Sequence, residues 1–133
     1  MGLRGEAAIV GYTELPSVKR PSGPLEFTVE QWARLAAATL ADAGLSLADV
    51  DGVCTSHLQE SQIFVPSTII EYLGLKANFA EMVDLGGASA VAMVWRAAAA
   101  IELGLCNAVL CVVPATAQTP PPRPRVGPVR VQR

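Results

Sequence analysis

The chain reads as an α/β domain built on a mostly parallel sheet with covering helices. Three observations predict this. Short apolar runs alternate with segments of helical periodicity. The strand candidates are continuously apolar, as expected for strands buried on both faces. Apolar residues make up 51% of the 133 residues and charged residues 17%, so the chain either covers its sheet on both faces or hides surface against a partner.

Ala7–Val10, ended by Gly11, predicts a first buried strand. Thr13 to Leu25 holds three prolines and scattered apolar residues, which predicts a long loop. Thr28 followed by Glu30 and Gln31 fits a capping box. From there Trp32, Leu35, Ala36, Thr39, Leu40 and Ala43 recur at helical spacing until Gly44. Leu47–Val50 predicts a short helical turn. Val53–Thr55 predicts a second strand, and Ser56–Ser61 a polar loop.

Pro66 suits a helix start, with a two-turn helix over Ser67–Leu73 and a stop at Gly74. Phe79–Leu85 predicts a third strand, broken by Gly86-Gly87. Ala88–Leu103 is interrupted only by Ser89, Arg96 and Glu102, which predicts a central helix buried nearly all round. Ala108–Val113 predicts a fourth strand, stopped by Pro114. This order calls for right-handed crossovers and a parallel sheet. The expected division is a domain over residues 1–115 and a Pro/Arg-rich, disordered tail over 116–133.

All twelve acidic residues precede that tail, whereas Arg123, Arg125, Arg130 and Arg133 lie in it. An acidic body argues against nucleic acid as the main partner. The opening residues are too weakly apolar for a secretory leader, and no run is long enough to span a membrane, which predicts a cytoplasmic protein. Cys54, Cys106 and Cys111 lack CxxC spacing; buried reduced thiols are expected and no metal site.

Two segments could carry chemistry. At Asp84–Ser89, between the third strand and the central helix, Gly86, Gly87 and Ser89 are the substrate-binding candidates. Amides there could hold an acyl group, a phosphate or an oxyanion; equally, the glycines could serve only to fit a crowded turn. Neither nucleotide-binding glycine fingerprint is present. In Cys54–His57, with Glu60 nearby, His57 is the single histidine. It could be a base or ligand contact, or a solvated loop residue. Nothing in the sequence pairs it with a nucleophile, so no catalytic residue is assigned. Cys54 has apolar neighbours, and Cys106 follows a helix end, the wrong terminus to stabilise a thiolate. Trp32 and Trp95 read as core or interface anchors. Arg96, in the most apolar helix, needs a partner or a route to solvent, and Asp84 is one candidate partner.

Ala7 to Gly11, the helix Val29–Ala43, the Asp49–Gly52 step, and above all Gly86–Ala92 followed by Ala98–Gly104 resemble the amino-terminal half of the thiolase-like superfamily, over roughly residues 5 to 113. The nearest branches are the sterol-carrier or lipid-transfer thiolases and the cysteine-less steroid side-chain aldolases. Thiolases join or cleave acyl-CoA thioesters through a cysteine just before the central helix. Laid on this chain, Gly87 falls at that cysteine, Ser89 matches the motif serine and Ala90 replaces its glycine.

The resemblance therefore implies an acyl-CoA protein of lipid metabolism without the acyl-accepting thiol. Retro-aldol cleavage in steroid or lipid side-chain degradation is the better family-derived expectation. Coenzyme A would enter only as part of the substrate, with no separate cofactor. The resemblance further implies a homodimer or a complex with a second protein, such as a DUF35-type partner carrying an OB-fold, because the remaining catalytic groups come from the carboxyl-terminal half. The alternatives are a non-catalytic acyl-CoA- or lipid-binding or scaffolding protein, and a small standalone enzyme using His57.

Overall fold

The computed structural model describes residues 5–18, 26–61 and 63–114. They form a three-stranded, all-parallel open sheet flanked by helices, the α/β class the sequence predicts. The elements are α1 (Thr28–Ala43), a 3₁₀ turn (Leu47–Asp49), β1 (Gly52–Thr55), α2 (Val65–Leu73), β2 (Phe79–Met82), a 3₁₀ turn (Gly86–Ala88), α3 (Ser89–Glu102) and β3 (Val109–Val112). The predicted tail, residues 116–133, lies outside the described residues.

Strand order is β2-β1-β3. β1 is therefore central, and all four of its residues are buried. Alternate residues serve opposite faces. Val53, with Leu110 and Val112 of β3, faces a core that includes Trp32, Leu35, Leu40, Val65 and Ile69 of α1 and α2. Cys54 joins a smaller core with Val83 and Met93 of α3. Helices thus cover both faces, and the two crossovers leave β1 and β2 toward opposite sides.

Asp51 fastens the amino end of the sheet. Its Oδ1 accepts the Asn107 and Ala108 amides at 2.8 and 2.9 Å, and its Oδ2 accepts Asn107 Nδ2 at 2.9 Å. Its carbonyl accepts the Asn78 and Phe79 amides. One residue therefore aligns the entries to both neighbouring strands. Partial desolvation pushes the Asp51 carboxyl up, but the Ala108 and Asn107 bonds outweigh it and hold the group below its ordinary range.

Four expectations need correction. First, Ala7–Val10 is not a strand of this sheet; Ile9 and Val10 are 75% and 64% exposed. The segment instead runs against the last turn of α1. A Cβ at Gly11 would lie 2.6 Å from the Thr39 carbonyl oxygen, and the Tyr12 amide donates to Asp42 Oδ2 at 2.9 Å.

Second, α3 is not buried all round. Met93, Ala97 and Ala100 face the core, while Val91 and Trp95 are 75% and 55% exposed. A three-stranded sheet gives this helix one surface to cover, and no other described helix packs on its outer side.

Third, Arg96 pairs with Glu81 of β2 at 3.5 Å and stacks on the Trp95 ring, 5.2 Å from its centroid; it does not pair with Asp84. Because the outer face of α3 is open, its guanidinium reaches solvent without an interior partner.

Fourth, the helix cap shifts by one residue. Phe27 precedes the first turn, and its amide donates to Glu30 Oε2 at 3.2 Å. Thr28 is the first helical residue, and its hydroxyl serves a tertiary contact with Glu60. At the other end Gly44 adopts φ +66°, and the Leu45 amide closes on the Leu40 carbonyl at 2.9 Å.

Candidate functional site

In an open parallel sheet, ligands bind beyond the carboxyl ends of the strands, where neighbouring connections depart to opposite faces. Here that point lies between β1 and β2. The loop after β1 leads to α2 on one face, and the turn after β2 leads to α3 on the other. A cleft of about 570 Å³ opens there, lined by Ser56 and His57, by Asp84, Gly86, Gly87, Ser89 and Ala90, and by Val113 and Pro114. The two segments singled out in the sequence, 27 or more residues apart, form its facing walls.

The Asp84–Ser89 wall is a built turn. Gly86 has φ +57°, a conformation that glycine adopts without a Cβ clash. Ser89 is buried, and its hydroxyl is committed: it donates to the Gly86 carbonyl at 2.8 Å and accepts the Leu85 amide at 2.9 Å. Asp84 Oδ1 accepts the Gly86 amide at 3.3 Å. Ser89 and Asp84 therefore shape the turn. Gly87 differs from both: a Cβ there would meet nothing within 4 Å, and its amide has no acceptor among the described residues. It offers bare backbone at the start of α3, where peptide dipoles favour an anion or a polarised carbonyl oxygen.

The opposite wall is held by α1. Trp32 Nε1 donates to Thr55 Oγ1 at 3.0 Å, and that hydroxyl donates to the Ser56 carbonyl at 3.0 Å. Glu60 receives the Thr28 amide at 2.7 Å and the Thr28 hydroxyl. Desolvation pushes the Glu60 carboxyl up, but the Thr28 bonds prevail and keep it below its ordinary range. His57 is exposed at the rim.

No cysteine lines the cleft. Cys54 is fully buried beneath it, in register with Cys111 on β3. The hydrogen bond with Cys111, and then burial, push its thiol well above the ordinary range, so it is no nucleophile at neutral pH. Cys106 belongs to the other end of the sheet: its sulfur lies 3.3 Å from where a Gly52 Cβ would stand. Burial, and then Asp51, raise its thiol too. Among the described residues no group of three His, Cys, Asp or Glu side chains is arranged to hold a metal ion. A second groove, of about 320 Å³, lies along Ala33, Ala37 and Ala41 of α1 and is lined almost wholly by apolar side chains. No described helix is long and apolar enough to cross a membrane.

The strand-aligning role of Asp51 and the tertiary pairing of Thr28 with Glu60 are what sequence reasoning missed. The partners of these residues are 27 or more residues distant, so the local pattern showed only an aspartate before a glycine-started strand, a threonine at a helix start and a glutamate in a polar loop.

Fold and cleft together define a parallel α/β unit with an unpaired backbone amide in a cleft at the mouth of a helix. No family model matches the chain, and no curated protein matches it. Among solved structures it is similar to an Ltp2-ChsH2(DUF35) aldolase, with 30% sequence identity over 65% of this chain and a TM-score of 0.55. The chain spans 22% of the length of the chain it matches there. It is thus similar in sequence and fold to a piece of an aldolase.

Proposed function

We propose that this chain is one part of a thiolase-like assembly that performs retro-aldol cleavage of a β-hydroxyacyl-CoA thioester, completed by a second protein or a second copy. The observation that carries this reading is Gly87. At the position where the resemblance sets the thiolase cysteine, the cleft offers open space and a free amide, and no sulfur lines it.

Retro-aldol chemistry has no need of that sulfur. A base removes the β-hydroxyl proton and the Cα–Cβ bond breaks. The carbonyl product departs, and the electron pair moves onto the thioester oxygen as an enolate, which then takes a proton at Cα. The protein must stabilise the enolate oxygen, and a fixed backbone donor at a helix start suits that task. In this reading Gly87 contacts the thioester oxygen, while Gly86 and Ser89 hold the turn. His57, on the facing wall, is the base in this reading.

The similarity to a piece of an aldolase supports the reaction type, and the DUF35 component named with that aldolase supports a partner. The partner class is a DUF35-type protein, the acyl group is a lipid or steroid side chain, and the compartment is the cytoplasm. The exposed apolar face of α3 is consistent with assembly.

The test is to purify the tagged chain with its companions, add a β-hydroxyacyl-CoA and follow products by mass spectrometry. A shortened acyl-CoA and an equimolar aldehyde or ketone are expected. Release of free coenzyme A instead would refute the reaction class, and binding without turnover would identify a binding protein.

A further inference from the structure

The loop that carries His57 is fixed at both ends by one face of α1. Thr28 and Trp32, four residues apart, are neighbours on that face. Trp32 holds the near end through Thr55 and the Ser56 carbonyl. Thr28 holds the far end through a closed ring: the Gln59 amide donates to Thr28 Oγ1 at 3.1 Å, that hydroxyl donates to Glu60, and Glu60 in turn receives the Thr28 amide at 2.7 Å. Between the two clasps Leu58 is buried in the core, while His57, one residue earlier, is exposed and lines the cleft. An exposed imidazole on a free loop would sample many positions. Here the residues on both sides of it are pinned, so its backbone has little freedom left.

We infer that Thr28 and Glu60 are positioning residues, whose hydrogen-bonded ring holds the Ser56–Glu60 loop as a fixed wall of the cleft and keeps the His57 imidazole facing the Gly86–Gly87 turn. What the imidazole meets there rests on the thioester reading of the cleft; the clasp itself does not. Sequence order alone would assign Thr28 to capping its own helix and Glu60 to solvent. The ring gives both a task on the loop instead.

His57 is the single histidine of the chain, so its imidazole proton resonance can be followed in the full-length, untagged protein. Exchange of the Gln59 amide reports the clasp directly. Thr28→Val keeps shape but removes the hydroxyl; it should speed Gln59 exchange about ten-fold and shift or broaden the His57 resonance. Thr28→Ser restores the hydroxyl and should return both readouts to wild-type values. Glu60→Gln keeps an acceptor for the Thr28 amide and should give a smaller change, which covers the case of a poorly folding valine variant. Unchanged Gln59 exchange and an unchanged His57 signal in folded Thr28→Val or Glu60→Gln protein would overturn the inference.

Butyryl-CoA is then added. A His57 shift in the wild type that is lost in Thr28→Val supports both the clasp and the cleft reading. No shift in the wild type, with the exchange effects intact, refutes the thioester reading and leaves the clasp standing.

Discussion

Replacing Asp51 with alanine should be among the most damaging single changes outside the core, although the side chain is only partly buried. The carboxylate accepts three hydrogen bonds, two from backbone amides at the entry to β3. A hydrogen bond to a charged group contributes about 1.5–3 kcal/mol when buried. Water reaches this site, so each is discounted to below about 1 kcal/mol, and the three together give about 2 kcal/mol. For a domain of this size that lowers the thermal midpoint by about 10 °C. Asp51→Asn separates the contributions: its Oδ1 still accepts both amides, and only the bond from Asn107 Nδ2 is lost, so about half the effect or less is expected. Thermal unfolding followed by far-ultraviolet circular dichroism reads both variants. An Asp51→Ala midpoint within about 2 °C of wild type, or an asparagine variant as damaged as the alanine one, would refute the role of this residue in aligning the strands.

The two glycines of the turn should behave differently. Gly86→Ala must adopt a positive φ and should cost about 1 kcal/mol, whereas Gly87→Ala, with open space around its Cβ, should stay within about 0.5 kcal/mol of wild type in denaturant titration. Ser89→Ala removes the hydroxyl that ties Leu85 to Gly86 and should cost about 1–2 kcal/mol in the same titration, with faster exchange of the Leu85 amide. Asp51 and Glu60 both hold folded-state values below their ordinary 3.8 and 4.5. Below those ordinary values the unfolded chain takes up their protons more readily than the folded one. Their contribution to stability is therefore full above the ordinary values and is lost as pH falls through the lower folded values. Midpoints measured from pH 6 to pH 2 should show that loss, and it should be smaller in Asp51→Asn.

Local pattern carried most of the architecture. Helical spacing from Trp32 to Ala43 located α1, and the continuous apolar runs at Val53 and Ala108 located the central β1 and the edge strand β3, because a parallel strand covered by helices on both faces is apolar on both. The same logic misled at Ala7–Val10: an apolar run marks a segment that seeks cover, and composition does not say whether a sheet or a helix provides it. It misled again at α3, where the burial of Val91 and Trp95 depends on how many neighbours the helix has, which no periodicity encodes. Both site segments were legible individually from the Gly86-Gly87 break and the lone histidine. Their meeting was not, because it follows from the strand order β2-β1-β3, a non-local property. The ring of Thr28, Gln59 and Glu60 was hidden for the same reason.

The most direct test concerns the Gly87 amide. The chain, labelled with nitrogen-15 at glycine and purified with any companion protein that accompanies it, is titrated with butyryl-CoA, and the Gly87 resonance is assigned by its disappearance in Gly87→Ala. A saturable shift of that resonance, larger than those of Gly44, Gly74 and Gly104 far from the cleft, is the predicted result. A Gly87 signal that stays still while others move, or no response at any glycine, would contradict a thioester oxygen resting on that backbone.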